Sequence, residues 1–295
     1  MSVKVFVAAA AAPFLAATIA APSWADASEG HGAKAVSDTL VNGQRAELLK
    51  AAAAAHSGPQ SPRDLAKLKG INPIVFSAAP SRAVMNLCNI HFHEAAEHRG
   101  GEYTTYVGNG DGKGHGSGYR YNGSLSAAEL KPLSEKVGRT EHGELLPGGT
   151  IEIHFVHSTA PVRPGPTLAS CLSKENGNPQ LRVEAVVAVL VNDRKAADFV
   201  RMADLAVVNG YQAAPNIPDN LGTAVVYAGS TTGPKYNITP SPLQVTWSVR
   251  PKVVKVDILS VAKWLRANPF QEDHAHGVRY LVEDAVLLSP ISAAR

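Results

Sequence analysis

The stretch that most limits what this chain can become is Asn89-Ile90-His91-Phe92-His93. Read as a strand, its side-chain period of two puts Asn89, His91 and His93 on one face and Ile90 and Phe92 on the other. A second run, Ile151-Glu152-Ile153-His154-Phe155-Val156-His157, repeats the logic. Glu152, His154 and Val156 share one face, opposite Ile151, Ile153, Phe155 and His157. Bringing the two strands together gathers His91, His93 and His154 on one sheet face, with Asn89 and Glu152 beside them. Three neutral imidazoles suit zinc and leave a fourth position for water. The amide and the carboxylate can take up the far ring N–H groups and fix each tautomer. A lone strand histidine is ordinarily a surface or satisfied core residue. The second strand, with Glu two positions before its His, favours the metal site.

The rest of the chain bounds the setting. Residues 1–25 read as a secretory signal peptide: Lys4 near the start, an apolar alanine-rich run, then Ser23-Trp24-Ala25 with small residues at the cleavage positions. Removing 25 residues from 295 leaves 270, and the loss of Lys4 takes the formal net charge from +3 to +2. That balance gives no electrostatic case for nucleic acid or an anionic membrane. Export to the periplasm or beyond is the expected location. The two cysteines, Cys88 and Cys171, then form a candidate disulfide. Residues 26–82 read as a peripheral segment and residues 83–295 as the catalytic domain. The sequence does not specify an oligomeric state.

Periodicity predicts a helix over residues 34–55, a short one over residues 63–69 capped by Ser61, and further helices over residues 193–206 and 260–267. Strands are expected over residues 83–92, 103–107, 181–191, 222–228, 243–249 and 252–258. The glycine-alternating run over residues 108–118 reads as a surface loop. The fold class is mainly β (α+β), a single domain with peripheral short helices.

These blocks carry a family likeness. Met85-Asn86-Leu87-Cys88-Asn89-Ile90-His91-Phe92-His93, Glu97-His98, Gly108-Asn109-Gly110-Asp111-Gly112, residues 151–157, Gly165-Pro166-Thr167-Leu168 and residues 178–184 together make the chain similar to the delta-class carbonic anhydrases. It also resembles the alpha class more distantly. There a Gln-x-His-x-His strand, a Glu-His pair and a Glu-Leu-His-Leu-Val-His strand correspond to Asn89–His93, Glu141-His142 and Glu152–His157. The pair Glu141-His142 stands at the alpha-class offset of eleven positions before Glu152.

The resemblance implies a large, mostly antiparallel twisted central sheet. It also implies reversible hydration of carbon dioxide to bicarbonate and a proton by a metal-activated water. Zinc is the expected ion, with cobalt as the alternative, held by His91, His93 and His154. Asn89 and Glu152 would support the ligands. Glu141 and Thr239 would orient the activated water as a buried carboxylate and a gatekeeping hydroxyl, with Thr232 the alternative hydroxyl. Val156 and Val186 would line the carbon dioxide pocket. His98, His115, His157, His274 and His276 compete as proton carrier, His157 pointing away from the ligands by strand parity. The competing readings are a cupin-type oxygenase or isomerase, built on His91, His93 and Glu97, and a non-catalytic binding module.

Overall fold

The computed structural model describes Met1 and residues 35–230 and 237–292; the signal-peptide stretch and Thr232 lie outside these. The chain runs through α1 (Asp38–Ala54), β1 (Asn86–Glu94), β2 (Thr105–Asn109), β3 (Ser117–Arg120), β4 (Val137–Thr140), β5 (Gly143–Leu145), β6 (Thr150–Ser158) and β7 (Gln180–Val191). It continues through α2 (Phe199–Met202), β8 (Ala206–Val208), β9 (Tyr211–Ala213), β10 (Val225–Ala228), β11 (Gln244–Val249), β12 (Val254–Asp257), α3 (Ile258–Arg266) and β13 (Ile291–Ser292).

One seven-stranded sheet organises these elements in the order β1-β6-β7-β11-β10-β13, with β12 also on β7. β6 runs antiparallel between β1 and β7. β11 and β12 follow one another along the other edge of β7, both parallel to it. β7 therefore has partners along both edges, and from Val183 to Val191 every residue is buried. That explains its unbroken β-branched and alanine composition, since a strand covered on both faces has no polar side to write. The remaining pairings, β10 with β11 and with β13, are antiparallel, so the sheet is mostly antiparallel as expected.

The sheet separates two apolar clusters. One holds Ile90, Phe92, Ile153, Phe155, Val186 and Leu190, roofed by Phe199, Trp264 and Leu265. The other holds Cys88, Val156, Val183, Val187 and Trp247 on the opposite face. Parity produces this division, and a register shift between Leu87 and Asn89 in β1 brings Cys88 onto the histidine face. Alternate residues of β1, β6 and β7 point to opposite sides, so a mainly apolar layer forms on one face while the histidines keep the other. Cys88 and Cys171 are joined in a disulfide, as the sequence suggested.

Two expected helices fail for tertiary reasons. Residues 63–69 are not helical. Ser61 gives its hydroxyl to Tyr227 (2.6 Å), and the buried Arg63 guanidinium reaches the Ser289 and Lys67 carbonyls. These long-range contacts outweigh a weak local preference. Only Phe199–Met202 forms within residues 193–206, because residues 193–196 close a turn and Ala197 then bridges to β12, bonding Lys255 and Asp257 through its backbone. The two other helices form as α1, capped by Ser37, and α3, capped by Asp257.

Candidate metal centre

The β1–β6 register sets His91 opposite His154 and His93 opposite Glu152. The three imidazoles therefore meet on one face, and a ring nitrogen from each lies within 4.8 Å of the others. His93 and His154 are buried and His91 is half-buried.

Each ring is held by its other nitrogen. His91 Nδ1 donates to Asn89 Oδ1 at 2.6 Å. His93 Nδ1 donates to the Gly277 carbonyl at 2.7 Å. His154 Nε2 donates to Glu152 Oε1 at 2.8 Å. The free nitrogens are therefore Nε2 of His91, Nε2 of His93 and Nδ1 of His154. The two from His91 and His154 stand 3.3 Å apart. A tetrahedral ion 2.0–2.1 Å from each nitrogen sets its ligands about 3.3–3.4 Å apart. The donor set thus fits a divalent ion of zinc type.

Burial and mutual repulsion keep the rings ready to bind. Desolvation, then the neighbouring imidazoles, holds His91 well below its ordinary pKa, so the ring is neutral near pH 7. His93 is lowered to about 4, by burial first, against the opposing pull of Glu97. A metal therefore displaces no proton from either near neutrality.

Glu152 begins a buried chain. Its Oε1 also accepts from His98 Nδ1 (2.6 Å), and its Oε2 accepts from the His98 backbone N–H (3.1 Å). His98 Nε2 accepts from Tyr227 Oη–H (2.6 Å), whose oxygen accepts from Ser61 (2.6 Å). All four residues are buried. Burial alone would raise the Glu152 pKa; His98 and His154 more than offset it and hold the carboxylate well below its usual range. Trp247 packs against both His154 and His98, its ring centroid 5.0 Å from each.

The structure sorts the expected residues. It brings together His91, His93, His154, Asn89, Glu152 and Val156. Val186 sits on the opposite face across from Ile153, and the valines on the ligand face are Val183 and Val187. The reason is parity: a one-residue offset along β7 reverses the face. Glu141 is 85% exposed on its side chain and 3.4 Å from His142 Nε2, so it is not a buried carboxylate. Thr239 is exposed as well. The buried acid–imidazole pair is Glu97-His98. Glu97 Oε1 accepts the Arg279 backbone N–H at 2.9 Å and lies 3.6 Å from His93 Nδ1. Burial raises its pKa, but His93 and Arg279 bring it below the ordinary carboxylate value. Two Glu-His pairs were legible in sequence, and the offset from Glu152 selected the exposed one. Nothing in the sequence marked Gly277, whose carbonyl does the anchoring from 184 positions downstream.

The glycine-rich loop is also more than a surface excursion. Gly114 O accepts the Val278 N–H at 2.7 Å, and a Cβ on Gly277 would sit 2.9 Å from the Gly114 backbone. Glycine at both positions lets the loop lie directly on the segment that anchors His93. Of the proton-carrier candidates, His98 and His157 are buried, and His157 lies away from the ligands as expected. His276 borders them, with its ring centroid 5.4 Å from that of His91 and its Nε2 bonded to Glu272.

A model of the delta carbonic anhydrase family matches residues 82–260, more than half of the chain. The chain belongs to that family, and the protein is a carbonic anhydrase. Its small-molecule substrate pair is carbon dioxide and bicarbonate. Two solved structures are distantly similar. One is a hyperthermostable carbonic anhydrase identified from an active hydrothermal vent chimney, 13% identical over 83% of this chain and 90% of that one, with a TM-score of 0.31. The other is the Photobacterium profundum alpha-carbonic anhydrase, 15% identical over 79% and 94%, with a TM-score of 0.25. No curated protein matches. The family assignment rests on the family model. Among the described residues no helix is long and apolar enough to cross a membrane.

Proposed function

We propose that the protein is a zinc-dependent carbonic anhydrase whose ion is held by His91, His93 and His154. The supporting observation is the convergence of three imidazole nitrogens whose opposite nitrogens are each anchored to a protein acceptor. A bound zinc would supply an activated water at neutral pH, as is general for zinc carbonic anhydrases. Cobalt would suit the same donors.

The residues around the ion have separate tasks. Asn89 and the Gly277 carbonyl keep His91 and His93 in the tautomer that presents Nε2. Glu152 does the same for the Nδ1 of His154, and the His98–Tyr227–Ser61 chain keeps Glu152 ionised and oriented. Val156 and Trp247 give the ligand face an apolar wall, suited to a substrate with little capacity for hydrogen bonding. Glu97 takes the place of Glu141 as the buried carboxylate beside the ligands, 3.6 Å from the anchored nitrogen of His93. The gatekeeping hydroxyl then falls to Thr232 in the Tyr227-Ala228-Gly229-Ser230-Thr231-Thr232 run, since Thr239 is exposed. His276, beside the His91 ring and partly exposed, is the histidine we assign to carry the proton away.

The cupin reading loses its fourth ligand. Glu97 approaches the anchored nitrogen of His93, and the metal-ready group among the described residues contains three histidines without it. Export after cleavage following Ala25 is proposed with the enzyme. The Cys88–Cys171 disulfide supports it, because such bonds persist in oxidising compartments.

The test is reconstitution. Metal-stripped protein is given zinc or cobalt, and carbon dioxide hydration is followed with bound metal quantified. One equivalent of zinc restoring hydration is the expected result. Full zinc occupancy with no hydration overturns the reading.

A further inference from the structure

We propose that the loop tied down by the Cys88–Cys171 disulfide sets the direction of the Asn89 amide, and through it the nitrogen that His91 presents to the metal. The inference rests on the reading of His91 as a metal ligand. Asn89 Nδ2 donates to the Gly165 carbonyl at 3.1 Å, while its Oδ1 accepts from His91 Nδ1 at 2.6 Å. A backbone carbonyl can only accept. The amide NH2 must therefore lie on the Gly165 side, which leaves Oδ1 on the His91 side. An amide turned the other way would set its oxygen against the carbonyl oxygen. With Oδ1 fixed, His91 carries its proton on Nδ1 and keeps the Nε2 lone pair for the ion.

Gly165 is held in place from the strand it serves. Its N–H donates to the carbonyl of Cys88, the neighbour of Asn89, at 3.0 Å. The disulfide joins that same Cys88 to Cys171 at the far end of the loop. Ser158 at the end of β6 closes the arrangement by donating to the Cys171 carbonyl at 2.7 Å. A Cβ at Gly165 would lie 2.6 Å from Ser170 Oγ, which would have to turn away. The covalent bond thus restrains, one residue from Asn89, the loop whose Gly165 carbonyl bonds the Asn89 amide. A disulfide that merely stabilised the fold would change the melting temperature and leave the metal affinity of folded protein unchanged.

The experiment measures zinc affinity of metal-stripped, folded protein by competition with a chromogenic chelator, well below each variant's melting temperature. The visible spectrum of the cobalt form is recorded in parallel. The proteins are wild type, Asn89→Ala, the double variant Cys88→Ser/Cys171→Ser, and the three substitutions combined. Loss of a group that orients a ligand typically weakens metal binding about 10–100-fold. Asn89→Ala is expected to do so, the disulfide variant to lose about tenfold and alter the cobalt bands, and the combination to bind no more weakly than Asn89→Ala. Asn89→Asp tests the same link with the disulfide intact. It keeps an acceptor for His91 but opposes a carboxylate oxygen to the Gly165 carbonyl, and weaker binding is expected. Wild-type affinity and spectrum in the disulfide variant overturn the proposal, as do losses that multiply in the combination or an Asn89→Asp variant that binds as tightly as wild type. Failure of the wild type to take up an equivalent of zinc removes the metal-centre reading itself, a result distinct from these.

Discussion

Two clusters of histidines and carboxylates lie on either side of the end of β1, and they are built differently. In the first, the planes of His91, His93 and His154 cross at 50–86°, which lets three nitrogens converge. In the second, His115 and His142 stack at 3.7 Å with planes only 6° apart. Their in-plane lone pairs run side by side and do not meet at one point. The partners differ too. The first cluster uses acceptors that are buried or part of the backbone, whereas Glu94 and the exposed Glu141 stand 3.3 and 3.4 Å from the second pair. The stacked pair lines a cavity of about 380 Å³ with Asp111 and Glu144, and none of the three converging histidines reaches it. Counting histidines and acids would rank the two alike. What separates them is where the far nitrogen of each ring is anchored.

The comparison breaks most visibly if a convergent histidine is dispensable. His93→Ala should abolish stoichiometric zinc binding and reduce hydration to the level of chelated protein, measured by metal analysis and stopped-flow assay on the same sample. A variant that retains both zinc and rate would show that convergence is not the feature that matters. Glu152→Gln is a subtler break. It leaves a side chain of the same shape but removes the charge on which His154 and His98 both depend. Zinc affinity should fall about 10–100-fold, read by chelator competition. Unchanged affinity would mean that His154 holds its orientation by packing alone.

Two histidines outside the converging set predict opposite responses to pH. Burial lowers His157 from 6.5 to about 4, so the unfolded chain takes up a proton in that window and the folded chain does not. Its contribution to stability is complete above pH 6.5 and is lost as pH falls through 4. The difference amounts to about 3 kcal/mol. Urea unfolding of metal-free His157→Gln should show a shallower loss between those values than wild type, and parallel curves would refute this. His115 is shifted upward, first by the Glu94 carboxylate 3.3 Å from its Nδ1, with burial opposing. Its contribution is present below pH 6.5 and is lost as pH rises through the higher folded value. The smallest effect expected belongs to this second cluster. His115→Ala/His142→Ala should leave zinc content unchanged and kcat/KM within about twofold of wild type, because surface substitutions away from a site have small effects. A large loss of zinc would erase the distinction between the clusters.

Much of the histidine cluster was legible in sequence because it depends on strand parity. His91, His93, His154, Asn89, Glu152 and Val156 follow from a period of two once β1 and β6 pair. Val186 shows how narrow that logic is, since a shift of one residue along β7 reverses the face. The Glu141 assignment failed for another reason. Offset along the chain is a poor guide when insertions intervene, and burial, which distinguishes Glu97 from Glu141, is a tertiary property. The roles of Gly277 and of Gly165 were not legible, although Gly165 stood in one of the family-like blocks, because both act through backbone carbonyls, which every residue carries. The fold shows the same division. β7 is evident from its apolar run, while the extended path of residues 60–64 depends on partners as distant as Tyr227 and Ser289.

The most direct test of the account is stopped-flow carbon dioxide hydration on purified protein, comparing the metal-loaded form, the chelated form and metal-loaded His154→Ala. The account predicts hydration that is lost on chelation, restored by zinc and absent from the variant. Undiminished hydration in His154→Ala would contradict it, as would a wild type with a full equivalent of bound zinc and no hydration.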